Sequence, residues 1–400
     1  MSKIELPPTA GLPLSYGDFV GPSPGPLTEV LADFLRVAKV GVECSGTACL
    51  IVILETLKVR SGRRTVIVPA FTCPLVVLAI QYCGLQTRLC DVWPDSFELC
   101  PTALAQALDQ DVLAVVPAHL GGRVANLGEV ITLARACGAS VIEDAAQALG
   151  AQYLGRTVGL QGDAAFFSLA AGKGLTLYEG GVWMARDPAL HAAIAATSQQ
   201  LVKSKPLFET WRKLQLLGYG LFYRPQLLRW VYGAPLRRAL RRGDLVEAAG
   251  DRFDPDIPVH RVSRWRSNVG SRSLARLPTW QAATQRRAKE RLPILESLPG
   301  VKVLQDAPGG NGTWPLFMLL LPEPQLRDLV LQECWGAGLG IGCMFLRALG
   351  GYPELRGIVG DAAYPQADDF ASRSLTLSNS LWLDPPAFEQ VTTLLQRYLR

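Results

Sequence analysis

Two stretches decide how this chain is read: VIEDAAQALGA at residues 141–151 and FFSLAAGKGLTLYEGG at residues 166–181. The apolar run Ala139–Ile142 passes straight into Glu143 and Asp144. A short run of this kind fits a strand buried on both faces. In open α/β sheets, ligands sit beyond the carboxyl ends of such strands. Asp144 therefore has two roles open to it, capping a helix N-terminus or facing a cationic group at the strand ends. The second stretch sets Lys173 among small residues just past another apolar run, Ala164–Phe167. A surface-loop lysine is one reading. The other is an amine in a dry, glycine-lined pocket, where desolvation lowers the pKa and makes a usable nucleophile. The Gly-Lys pair lacks the G-x-x-x-x-G-K-[ST] spacing of a phosphate loop.

The alternation continues outward on both sides. Thr65–Val68, Thr87–Val92, Val112–Pro117 and Gly181–Met184 read as strands. Gly46–Lys58 (with Ser45 as N-cap), Pro74–Cys83, Pro101–Leu108 and Leu127–Cys137 read as helices. Short apolar strands alternating with helices predict an α/β fold with a mostly parallel sheet covered on both faces. Residues 1–28, rich in Pro and Gly, read as an extended arm, and the alternation is interrupted across about 200–255. Beyond Asp256 come a helical stretch Thr279–Leu298, which Pro293 should kink or split, a strand near Pro315–Leu321 and a helix Pro324–Trp335. A glycine-rich turn and a helix from Pro386 follow. The division expected is a large domain over 1–255, with an insertion at about 200–255, and a smaller α+β domain over 256–400.

Of 400 residues, 49% are apolar and 19% charged. About a quarter charged is usual, so the chain can bury a large core and is not of the disordered class. Nine cysteines, an odd number with no C-x-x-C pair, read as free thiols in a reducing compartment. With only His119, His191 and His260, no metal site is expected. The N-terminus lacks a signal-peptide pattern, and no apolar run approaches the roughly 18 residues of a spanning helix. A cytoplasmic protein is expected.

SGTAC, residues 45–49, lies at a predicted helix start, where free backbone N–H groups and the Thr47 hydroxyl suit a phosphate. Ser168, five residues before Lys173, adds a second hydroxyl. No G-x-G-x-x-G follows a strand, and no G-x-S-x-G elbow is present. A phosphate cradle, then a carboxylate, then a lysine meet the three needs of pyridoxal phosphate (PLP): an anchored phosphate, a protonated ring nitrogen and a held aldehyde.

The local sequences SGTAC, VIVPAFTCP (66–74), VVPAHLGGRVANL (115–127), VIEDAAQALGA and FFSLAAGKGLTLYEGG resemble those of the DegT/DnrJ/StrS family of PLP-dependent sugar aminotransferases, across residues 41–187. The resemblance implies the fold type I architecture, a homodimer, and transamination of a keto sugar with an amino acid such as glutamate as donor. It implies that Lys173 holds the cofactor's aldehyde and later moves the proton. Asp144 would pair with the ring nitrogen, and Gln147 would lie near the ring hydroxyl. Gly46, Thr47, Ala48 and Ser168 would bind the phosphate. His119 matches a family position and is read as structural. The retained lysine argues against the family's dehydratase branch, which has His there.

Some positions depart from the family pattern. Cys73 stands where an aromatic residue usually stacks on the ring, so stacking is either missing or comes from elsewhere, with Phe71 a candidate. Ser263-Arg264-Trp265-Arg266 replaces the segment that reaches the neighbouring subunit's phosphate, so Arg264, Arg266 and Asn268 become candidates for that contact. Met344–Phe345 and Ser380 replace polar groups that contact sugar. The cofactor chemistry reads as intact and the substrate pocket as altered. A regulatory relative without turnover, or a membrane-associated scaffold in polysaccharide assembly, are the alternatives.

The net charge of +5 is uneven. Residues 201–243 hold ten Lys/Arg and one acid, Glu209, a net of +9 that leaves −4 for the rest. Seven aromatic residues, including Trp211 and Trp230, are interleaved with these cations. A helical insertion over the active site or dimer interface is one reading. A peripheral contact with the inner face of a membrane is another, aromatics at interface depth and cations towards anionic head groups. Single-stranded nucleic acid is a third, with nothing else in the chain supporting it, and is set aside. The membrane reading suits a lipid-linked as well as a nucleotide-linked sugar.

Overall fold

The computed structural model describes residues 4–399. Its centre is the helix Gly46–Ser61. Ser45 caps it by accepting a 3.0 Å hydrogen bond from the Ala48 N–H. Every residue from Ala48 to Leu54 is buried, so the helix is apolar all round and belongs inside the molecule. It packs on the helices Pro74–Tyr82 and Pro188–Leu201 and on the main sheet.

The strands in chain order are β1 (Gly41–Glu43), β2 (Thr65–Pro69), β3 (Gln86–Cys90), β4 (Val112–Val115), β5 (Ser140–Asp144), β6 (Gln152–Tyr153) and β7 (Arg156–Thr157). β8 (Ala164–Ser168), β9 (Gly181–Ala185), β10 (Lys302–Val303), β11 (Gly310–Asn311), β12 (Leu316–Leu320), β13 (Ile341–Gly342) and β14 (Ser374–Ser378) follow. The main sheet runs β1-β9-β8-β5-β4-β2-β3. Pairs β2–β3, β2–β4, β4–β5 and β5–β8 are parallel, and β9 is antiparallel to both neighbours. β2 and β4 are buried at every position, as a sheet covered on both faces requires.

The second sheet, β10-β12-β14-β13, is antiparallel. Side chains alternate between its faces with period two. Leu316, Met318 and Leu320 of β12 join the large core, while Phe317 and Leu319 pack in an outer cluster with Val330 and Val391 of two C-terminal helices. β11-β6-β7 forms a small ribbon.

Two local expectations change. Leu277–Glu296 is a single helix that continues through Pro293. Pro293 sits in the last turn on an exposed side, where the one hydrogen bond it removes costs little. The expected arm is not simply extended over residues 4–28, its first three residues lying outside the described ones: a short helix, Tyr16–Phe19, forms, and another begins at Leu27. The preceding segment is a strap. Its Glu5 N–H donates to Pro225 O, Leu6 N–H to Gly338 O, Ala10 N–H to Pro315 O and Leu12 N–H to Gly174 O.

The interrupting region is helical: Pro206–Phe222, Pro225–Leu228, a wide turn at Arg229–Gly233, Ala234–Arg241 and Leu245–Ala249. The first two helices and Ala234–Arg241 each carry Pro in the first turn, where its missing N–H costs nothing. Among the described residues no helix is long and apolar enough to cross a membrane.

Candidate active site

β5 ends at Asp144, which lies opposite Phe166 of the parallel neighbour β8. β8 then ends at Ser168, and the chain turns through Ala170–Gly174 before returning as β9. Gly172, at φ +78°, makes that turn without the steric cost a side chain would carry, and it sets Lys173 back over the strand ends. Parallel register, with the turn at Gly172, thus brings Asp144, Ser168 and Lys173 to one end of the sheet.

No helix starts after Asp144, so the capping role is not the one it plays. Its Oδ1 accepts a 3.0 Å hydrogen bond from the Ala146 N–H. Burial pushes its carboxyl up to about 6, against the pull of that N–H, Lys173 and His119. Lys173 lines a cavity yet is packed closely enough that desolvation lowers its amine, with Cys73 and Asp144 opposing. Burial also pushes the Cys73 thiol up to about 12, so it is neutral at pH 7. At pH 7 the charge that opposes desolvation of the amine is therefore that of Asp144.

The two proposed phosphate elements meet. A Cβ built on Gly46 would stand 3.4 Å from the Ser168 Cβ, so the start of the central helix lies against the end of β8. The Ala48 N–H is already taken by Ser45. This leaves the N–H groups of Gly46 and Thr47 and the Ser168 hydroxyl as the donors suited to an anion. Gln147 is held by its Oε1, which accepts a 2.7 Å bond from the Gly121 N–H, and its amide nitrogen lies 3.2 Å from the Met344 sulfur. Gln147, Ser168, Lys173 and Met344 line one cavity together with Thr9, Trp280 and Gln281. The amine of Lys173 and the hydroxyl of Ser168 line this cavity, Asp144 lies close enough behind it for its charge to act on Lys173, and the helix start at Gly46 abuts Ser168. An amine, a carboxylate, a hydroxyl and a helix N-terminus are the donor set that PLP requires, and the residues fit it.

Several other residues fall differently. His119 is fully enclosed, its Nε2 3.1 Å from Glu143 and its Nδ1 accepting from the Ala125 N–H, which is a structural placement. Phe71 does not take the stacking role: it is fully buried and packs edge-on against Phe345 and Phe370, at 5.6 and 4.9 Å. Phe345 belongs to that core, and only its neighbour Met344 faces the cavity. Ser380 is buried, its carbonyl accepting from Arg287.

Arg266 is also a correction. It is 0% exposed and cannot reach a neighbouring subunit. Its guanidinium pairs with Glu209 and donates to the carbonyls of Leu177 and Glu179. Arg264, at the start of the helix Arg264–Leu274, is exposed and Asn268 partly so. Glu209 also accepts from the Ser263 N–H at 2.7 Å and lies 3.1 Å from His260. Burial works to raise its pKa, but the His260 and Arg266 hydrogen bonds win and hold it well below the carboxylate range. Its role was visible in one feature, as the sole acid in a segment of ten cations.

The sequence model of the DegT/DnrJ/EryC1/StrS aminotransferase family matches residues 18–222. Protein MosB of Rhizobium meliloti is 41% identical over 146 residues, 36% of this chain and 29% of that protein. GDP-perosamine synthase of Caulobacter vibrioides is 34% identical over 165 residues, 41% of this chain and 44% of that protein. The matched stretches therefore span less than half the length of these curated relatives. The putative sugar aminotransferase Spr1654 from Streptococcus pneumoniae superposes with a TM-score of 0.75 at 18% identity, covering 99% of this chain and 98% of the other. At that identity the likeness establishes the fold, the type I fold of PLP enzymes.

Proposed function

Because this chain belongs to the DegT/DnrJ/EryC1/StrS aminotransferase family, whose cofactor is pyridoxal phosphate, we propose that it converts a keto sugar to an amino sugar, with an amino acid such as glutamate as donor. The sugar would be carried on a nucleotide or a lipid and used in cell-surface polysaccharide or a related glycan. The observation that carries this reading is the convergence of Asp144, Ser168 and Lys173 at one end of the sheet, against the start of the central helix. When bound, pyridoxal phosphate supplies an electron-withdrawing ring beside which a C–H bond can ionise.

Each residue has a part in this reading. Lys173, its pKa lowered by burial, is the amine that would hold the cofactor's aldehyde and the base that would move the proton. Asp144, the buried acid at the end of β5, would pair with the ring nitrogen and favour its protonated form. The Ser168 hydroxyl and the N–H groups at Gly46 and Thr47 would seat the phosphate; the Ala48 N–H, expected there from the family pattern, is occupied by Ser45. Gln147, held by the Gly121 N–H, would lie near the ring hydroxyl. Cys73 takes the place of a stacking aromatic.

The division into a cofactor-binding unit over 1–255 and a smaller unit over 256–400 is part of this proposal. So is a homodimer in which Arg264 and Asn268 reach the neighbouring subunit's phosphate. A peripheral contact with the inner face of the membrane is favoured by one face of the helix Pro206–Phe222, where Leu207, Trp211, Leu214, Leu217 and Leu221 are all exposed. Exposed Lys203, Lys205, Arg224, Arg238 and Arg241 lie in the same region. The deciding experiment records the visible absorbance of purified protein with PLP, before and after glutamate. A shift to the pyridoxamine form supports transamination. No chromophore, or an unchanged spectrum in Lys173→Ala, removes it in favour of a regulatory or scaffold role.

A further inference from the structure

A cavity of about 550 Å3 opens on the other side of the Lys173 loop. One wall is the loop itself, with Gly172, Lys173 and Tyr178, and Pro8 and Thr9 of the strap form another. The rest is built by the insertion, chiefly Tyr219, Phe222, Tyr223, Leu228, Val231 and Tyr232. Tyr219 and Tyr223 stack at 4.4 Å, and the Tyr223 hydroxyl is spent on the Thr9 carbonyl at 3.0 Å. Lys173 is the only charged residue on the described wall. Apart from Lys173, whose amine is committed to the cofactor's aldehyde in the aminotransferase reading, no cation on the described wall can pair with a diphosphate, and burying an unpaired charge there is costly. Apolar walls with a few polar groups at one end are the form of a site for an apolar body with one reactive tip.

The chamber also continues onto the surface. On the helix Pro206–Phe222, Gln215, Gly218, Tyr219 and Phe222 face the chamber. At 100° per residue this face adjoins the exposed one bearing Trp211, Leu214, Leu217 and Leu221, and the two meet at Gly218. Val231 is on the chamber wall and 50% exposed, so it stands at the mouth. A continuous apolar surface that runs from a reactive lysine to the exterior is a path for a hydrocarbon chain.

We propose that this chamber holds the hydrocarbon portion of an amphiphilic keto substrate, a keto sugar joined to a lipid chain by an uncharged link, with the carbonyl at Lys173 and the chain lying between the strap and the insertion. The proposal rests on the aminotransferase reading and narrows its substrate from a nucleotide-linked to a glycolipid-type ketone.

The test uses PLP-loaded protein and titrates hexyl, heptyl and octyl β-D-glucoside below their micelle concentrations, by calorimetry, with uridine diphosphate as the comparator. Transfer of one methylene into an apolar site tightens binding about fourfold, so the octyl compound should bind roughly fifteenfold more tightly than the hexyl. A Cβ at Gly218 would meet no atom within 4 Å, so a side chain can leave the helix there, and Gly218→Phe places a ring where the chamber meets the exposed face. That variant should lose the chain-length dependence while its melting temperature stays within a few degrees of the parent. Affinity independent of chain length in the parent protein overturns the proposal without any variant. So does uridine diphosphate binding that Gly218→Phe abolishes, or chain-length dependence that survives the substitution. The response of the cofactor absorbance to glutamate is recorded on the same samples. If it is absent while chain-length dependence persists, the aminotransferase reading fails and the chamber stands.

Discussion

Arg266→Met offers the sharpest test of how the insertion is held to the catalytic edge. Arg266 is the tie between two distant pieces: Glu209 on the insertion, and the carbonyls of Leu177 and Glu179 on the chain that follows Lys173. It is fully buried, and the Glu209 side chain is only 7% exposed. Removing one partner of a buried pair leaves an uncompensated charge and costs about 3–5 kcal/mol. At roughly 2 °C per kcal/mol for a chain of this size, apo-protein lacking cofactor should melt about 6–10 °C lower in a calorimetric scan. Replacing both partners, Glu209→Met with Arg266→Met, should recover part of that, because an apolar pair removes the uncompensated charge. The recovery is incomplete, since the Ser263 N–H loses its acceptor, the Leu177 and Glu179 carbonyls lose their donor and His260 loses its carboxylate, each at about 1 kcal/mol or more. The family resemblance makes the opposite prediction, that residues at this segment bind a neighbouring phosphate. If Arg266→Met leaves apo-protein melting unchanged and only weakens PLP binding, the structural account of Arg266 is refuted.

Three further outcomes are expected. Asp144 carries a folded pKa of about 6 against 3.8 for the free group, so its stabilising contribution is full below pH 3.8 and lost as pH rises through 6. Asp144→Asn should therefore stabilise apo-protein at pH 8 by up to about 3 kcal/mol and barely change it at pH 4, while abolishing turnover; equal shifts at both pH values contradict the burial argument. Ser168→Ala should weaken PLP binding by about 10–100-fold, the worth of a hydrogen bond to a charged group, as read by equilibrium dialysis; unchanged affinity would remove Ser168 from the phosphate seat. Trp211→Glu with Leu214→Glu should abolish flotation with anionic vesicles at low salt. Parent protein that does not float, or binding that ignores the double substitution, ends the membrane reading.

The elements legible in the sequence were those specified within a few residues. Ser45 caps the central helix through its own third neighbour, Ala48. β2, β4 and β5 are runs of apolar residues short enough to be strands, ended by Pro69, Pro117 and the acid pair Glu143–Asp144. Lys173, Asp144, Ser168 and Gly46 came into view because each sits at an end of such an element, and strand ends converge in a parallel sheet. Phe71 and Arg266 were misread for the converse reason. Phe71 lies in the same local motif as Cys73, but Phe345 and Phe370, more than 270 residues away in the chain, claim its ring. Arg266 is claimed by Glu209, 57 residues earlier.

Local pattern, then, was enough to specify the sheet, the candidate residues at its strand ends and the family, because hydrophobic period, caps and turns are short-range and leave their trace in adjacent residues. It also exposed the basic, aromatic insertion as an anomaly of charge. What that insertion does with its side chains was left to tertiary structure. The chamber beside Lys173 needs Thr9, Gly172, Tyr219 and Val231 in one place, and no spacing rule joins residues so far apart. Only the closing of the strap over the lysine loop, through Thr9 to Gly172 and Leu12 to Gly174, decides which faces of the helix Pro206–Phe222 become wall and which remain open.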